Sequence, residues 1–148
     1  MKKRSRSGFG SGAIGRRVAG LRETVRARRA VILRPETPEK KAAAELAKLG
    51  CADFTKDSFD TKKSLKDGDY ESVMKALRNE THPDALNNLG CAYAWLALEQ
   101  SNASYWGSAI NAFNRSTKNA AGNDELAKKR RARAQANLAT VRAASGLG

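Results

Sequence analysis

Acidic side chains are nearly missing from the two ends of this chain of 148 residues. Residues 1–34 hold 11 lysines and arginines against Glu23 alone, a net of +10, and no acid follows Glu125, so residues 126–148 carry 6 cations and a net of +6. Between them, residues 35–125 hold 11 bases and 14 acids, a net of −3. A mildly acidic body with two basic ends assigns the attraction for an anionic partner to the ends.

Other scarcities exclude other things. Only three prolines and many alanines suit helices better than sheets. No stretch approaches the roughly 18 apolar residues of a membrane-spanning helix. The two cysteines, Cys51 and Cys91, have neither the number for a disulfide framework nor the spacing of a metal site. They read as buried, reduced thiols, which favours the cytoplasm, with the mitochondrial matrix as the alternative because the first 22 residues are Arg-rich and free of acid. A secretory signal is not expected, since no continuous apolar core occurs there. The single histidine, His82, stands before Pro83 at a helix start and reads as an exposed cap residue. The glycine-rich GFGSGAIG follows no strand, so it is no phosphate loop. With no nucleophile and base set together, neither an enzyme nor a cofactor or metal is expected.

What is present is helical periodicity. MKKRSRSGFGSG reads as a tail, followed by a basic amphipathic helix with Ile14, Val18, Leu21, Val25 and Ile32 on one stripe. Pro35 and Pro38 in RPETPEKK mark a boundary, giving a tail over 1–34 and a folded domain over 35–148. Thr37 is the expected cap of an Ala/Leu-rich helix running from Pro38 to about Phe54. Thr55–Asp67 reads as a loop or frayed turn, and DYESVMKAL as a second helix. The third is THPDALNNLGCAYAWLALEQ, with Pro83 and Asp84 in its first turn. YWGSAINAFNRSTKNA is the fourth. The fifth opens at the cap Asp124 and places Ala127, Ala134, Leu138 and Val141 on one stripe.

The phrase LGCA occurs twice, at 49–52 and 89–92, with its glycines 40 residues apart, and each copy is followed by an aromatic-led amphipathic run. Such a period marks stacked helical hairpins, each covering its neighbour's apolar face. Leu89, Gly90 and Tyr93, with Ala109 and Phe113, resemble the tetratricopeptide repeat. Asn137, Leu138 and Ala139 stand where the third helix has Asn88, Leu89 and Gly90. The separations of 40 and 49 residues exceed the family's period of about 34. The resemblance implies an all-α fold over about residues 38–145, with antiparallel hairpins stacked as a short right-handed solenoid. Gly50 and Gly90 would let helix backbones approach, Tyr93 would fill the space between hairpin arms, and Ala109 would be the small residue opposite.

The resemblance further implies a concave groove that receives a peptide or partner helix, lined by Lys48, Asn87, Asn88, Arg133 and Asn137. Asparagine suits this role because its amide offers a donor and an acceptor to a peptide backbone. Where some family members grip a terminal carboxylate with cations and a second asparagine, this chain has Ala47 and Cys51. Trp95, Tyr105 and Trp106 read as hairpin packing, with Trp95 on the groove wall as the alternative. Contacts to an anionic partner are expected from Lys2, Lys3, Arg4, Arg6, Arg16, Arg17, Arg22 and Arg26, and from Lys128, Lys129, Arg130 and Arg131. Nucleic acid and an anionic membrane surface both fit the first set, and a mitochondrial-type targeting peptide is a third reading of it. The expected function is a protein-interaction adaptor with basic termini, and the alternative is an RNA- or DNA-associated accessory protein. Two and a half units fall short of the about three that stack stably, so self-association or docking of the amphipathic helix on the exposed end is also expected.

Overall fold

The computed structural model describes residues 37–146. The tail and amphipathic helix expected within residues 1–34, the boundary after them and all their basic contacts lie outside the described residues. Among the described residues six helices dominate: α1 Pro38–Leu46, α2 Thr61–Lys66, α3 Tyr70–Leu77, α4 Pro83–Glu99, α5 Ser104–Asn119 and α6 Glu125–Ser145. A two-residue ladder, β1 Thr55–Lys56 with β2 Phe59–Asp60, precedes α2. The all-α class is as expected, and among the described residues no helix is long and apolar enough to cross a membrane.

The helix starts follow local chemistry. The Thr37 hydroxyl accepts from the Lys40 amide at 3.2 Å, with Pro38 in the first turn. Asp124 accepts from the Ala127 amide at 3.2 Å. His82 caps α4 through its ring, Nδ1 accepting from the Asp84 amide at 3.1 Å, ahead of Pro83. Each cap satisfies a first-turn N–H that has no partner inside the helix.

Helix α4 is the axis of the fold. Every residue from Ala85 to Ala92 is buried, as in a helix covered on all sides. It packs most extensively on α5, then on α3, and also touches α1, α2 and α6. Leu46, Leu77, Leu86, Phe113 and Val141 fill the space between. Gly90 sits where α4 and α5 cross: a Cβ there would lie 2.7 Å from two Phe113 ring carbons, so the missing side chain permits the approach. Helix α6 packs on α5, and α1 lies against α6 and α4. Ala127, Ala134 and Val141 of α6 are buried and Leu138 is half-buried, the stripe that periodicity gave.

Three expectations need correction. Helix α1 stops at Leu46 rather than near Phe54, so the first LGCA is not helical while the second is. Gly50 therefore marks no helix crossing; a Cβ there would meet only ordinary contacts, the nearest being Arg133 Cγ at 3.6 Å. Thr55–Asp67 is no plain loop: Asp57 and Ser58 take positive φ values of 48° and 70°, turning the chain tightly between β1 and β2, and α2 follows at once.

Candidate functional site

Between α1 and β1, residues 49–54 belong to no helix or ladder, and their polar backbone is held by side chains from elsewhere. The bonded groups fall on residues 50, 52 and 54, the two-residue period of an extended strand. Asn137 of α6 takes both groups of Gly50, its Oδ1 accepting from the Gly50 N–H at 2.8 Å and its Nδ2 donating to the Gly50 carbonyl at 2.7 Å. Asn88 of α4 does the same for Ala52, with both distances 2.7 Å. Asn87 Nδ2 donates to the Gly50 carbonyl at 2.9 Å. Next along, the Phe54 carbonyl accepts from the Thr61 hydroxyl at 2.6 Å and from the Thr61 amide at 3.0 Å.

The carboxamides also bond to one another, which keeps them in register. Asn137 Nδ2 donates to Asn87 Oδ1 at 2.9 Å, and Asn88 Nδ2 donates to Thr61 Oγ1 at 2.9 Å. All four side chains are buried, at 0 to 3% exposure. Buried amides are costly when unpaired and specific when fully paired. Two carboxamides thus act as the neighbouring strand of a sheet, reading an N–H and a C=O two residues apart without reference to side chains.

Asn87, Asn88 and Asn137, the residues that sequence assigned to a groove, are therefore brought together, but the backbone they hold is the chain's own. Lys48 is apart from them, exposed and paired with Glu45 at 3.0 Å. Arg133 lays its side-chain stem beside Gly50 and points Nη1 to Asp84 Oδ1 at 3.8 Å.

The C-terminal cations divide. Arg130 makes a two-pronged pair with Asp84, Nε to Oδ1 at 3.1 Å and Nη2 to Oδ2 at 3.0 Å, tying α6 to the start of α4. Arg131 Nη1 donates to the carbonyls of Ala120 and Gly122 at 2.6 and 2.7 Å, fastening the α5–α6 connection. Both guanidiniums expected to meet an anionic partner are thus engaged internally. Lys128 and Lys129 remain exposed, Lys128 lying 3.6 Å from Glu125.

Around this strand stand features that sequence reading missed or left open. Cys51, within the strand, and Cys91 of α4 face one cavity of about 320 Å³, which Trp95 also lines. The neighbouring Cys91 thiol lowers the Cys51 thiol from its ordinary 9.0 to about 7; burial opposes this, while Lys62 and Arg133 assist it. Cys91 is pushed up by the nearby Cys51 and by its burial. Tyr93 and Trp95, both half-buried, stack on Tyr105 and Tyr70 with centroids 5.7 and 5.5 Å apart. Thr61 carries no signal in sequence, since DTKK surrounds it with polar residues. The tandem Asn87–Asn88 does carry one: two helix-disfavouring amides interrupt an otherwise apolar run.

Comparison with family models, with curated proteins and with solved structures found no match.

Proposed function

We propose that this protein is an interaction module of stacked, tetratricopeptide-like helical hairpins whose asparagine face binds extended polypeptide, with residues 49–54 as its resident, exchangeable occupant. The observation that carries this reading is the double grip of Asn88 and Asn137 on the N–H and C=O of alternate residues. Such contacts reward any extended backbone, so a partner segment that pairs equally well and adds side-chain contacts can compete. The basic termini then supply attraction to an anionic part of the assembly.

The test uses the full chain with Ala52→Pro, which removes the N–H that Asn88 accepts and loosens the resident strand. A fluorescein-labelled peptide of residues 47–56 is titrated and followed by anisotropy. Saturable binding to the Ala52→Pro chain, weaker binding to the unaltered chain and loss of binding when Asn88→Ala is added are expected. A folded Ala52→Pro chain that ignores the peptide, or binds it regardless of Asn88, overturns the reading.

A second reading rests on the net charge of +10 in residues 1–34: an accessory protein bound to RNA or DNA, the helical domain serving as a docking platform. Nucleic-acid affinity that falls steeply with salt and vanishes on removing residues 1–34, together with failure of the peptide titration, favours it.

A further inference from the structure

We propose that Cys51 and Cys91 form a peroxide-responsive thiol pair, closing into a reversible disulfide within one chain that fastens the extended strand to α4. The two residues are 40 apart in sequence yet share one cavity wall. Cys91 Sγ lies 3.7 Å from the Gly50 carbonyl, the group bonded directly to the Cys51 nitrogen, so the α4 thiol already rests against the strand's backbone. Asn137 Nδ2, 4.0 Å from the same sulfur, holds that backbone in place.

Exposure divides the labour. Cys51 is partly open to solvent, whereas Cys91 is 1% exposed. A small oxidant therefore meets Cys51 first, and its thiolate is favoured by the neighbouring Cys91 thiol and by the positive charges of Lys62 and Arg133. Lys62 and Lys66 lie on the cavity wall, where their charge attracts the developing oxyanion.

The chemistry needs a hydroperoxide as the oxidant and nothing else. The Cys51 thiolate attacks one peroxide oxygen; an S–O bond forms, the O–O bond breaks, and the sulfur loses two electrons to the departing hydroxide. Cys91 then attacks the Cys51 sulfenic sulfur; the S–S bond forms, the S–O bond breaks, and the Cys91 proton leaves with the hydroxyl as water. Two thiols and one hydrogen peroxide give one disulfide and two waters. A dithiol reductant reverses the result by exchange. The proposal does not depend on peptide exchange at the asparagine face, and failure of that titration leaves it standing.

The experiment treats the full-length chain with about one equivalent of hydrogen peroxide and maps the product by non-reducing digestion and mass spectrometry. Expected is a Cys51–Cys91 link within a single chain, loss of both titratable thiols and their return with dithiothreitol. Hydrogen exchange at the Gly50 and Ala52 amides is expected to slow by about tenfold or more on oxidation, since the bridge restrains local opening. The Cys91→Ser chain should stop at a Cys51 sulfenic acid that dimedone traps; the mapping of the unaltered chain stands without it should that variant misfold. Disulfides between chains, a Cys51 sulfinic acid beside a free Cys91 thiol, or a chain inert to peroxide would overturn the proposal.

Discussion

Asparagine competes for backbone hydrogen bonds and so weakens helix interiors, yet α4 carries two in succession and α6 a third, all buried. What compensates is the strand backbone, whose N–H and C=O groups at Gly50 and Ala52 supply the amides with partners. The identity of these residues was readable in the sequence because amides in an apolar run have few other uses. Their recipient was not, since it lies 36 to 87 residues away along the chain. Cys51 shows the same dependence on distant groups and gives a pH prediction. Its folded value near 7 lies below the ordinary 9.0, so the fold favours the thiolate. The resulting stabilisation is fully present above about pH 9, where the unfolded thiol also ionises, and is lost as pH falls through 7. Above pH 9 the raised Cys91 acts in the opposite sense. The stability difference between the native chain and Cys51→Ser should therefore grow from pH 7 to 9. Iodoacetamide should label Cys51 with a midpoint near 7 and leave Cys91 unreacted at that pH; denaturant melts and timed alkylation check both.

At the scale of elements, one tetrapeptide takes two conformations. LGCA in α4 continues an established helix, with Gly90 against Phe113; the earlier copy follows α1 and is drawn off by Asn87, Asn88 and Asn137. The helix starts at Thr37, His82 and Asp124 were legible because capping is decided within three or four residues. The end of α1 was not, because AAAELAKLG has high helix propensity throughout and only tertiary hydrogen bonds override it. Likewise β1, β2 and α2 escaped notice, since so short a ladder and helix leave little periodicity to detect. Two glycines separate helix propensity from packing. Gly107 of α5 is exposed with nothing within 4 Å of its Cβ position, so Gly107→Ala should stabilise by about 1 kcal/mol. Gly90→Ala drives a methyl into the buried Phe113 ring and should destabilise by about 1 to 3 kcal/mol despite the same propensity gain. Urea denaturation of the two variants measures the opposite signs.

The helical unit over the described residues is closed by contacts from its last helix back to earlier segments. Asn137 joins the last helix to Gly50, and Arg130 joins the same helix to Asp84 at the start of α4. Asn137→Ala would leave the half-buried Gly50 N–H without its partner and weaken the bonding of its carbonyl, each such loss being worth about 1 to 3 kcal/mol. A fall of about 2 kcal/mol or more in global stability is expected. Amide exchange should quicken in α1 and at residues 49–54 well before α4 and α5 are affected, which nuclear magnetic resonance can resolve. A change of 87 residues' sequence separation into a 2.8 Å hydrogen bond also bears on how the polypeptide is made. Translation delivers the first helix long before the last, and domains ordinarily fold as they emerge. Here α4 can hold Ala52 early, but the Gly50 N–H has no partner until Asn137 has left the ribosome, so residues 49–54 are fully seated only when α6 is made.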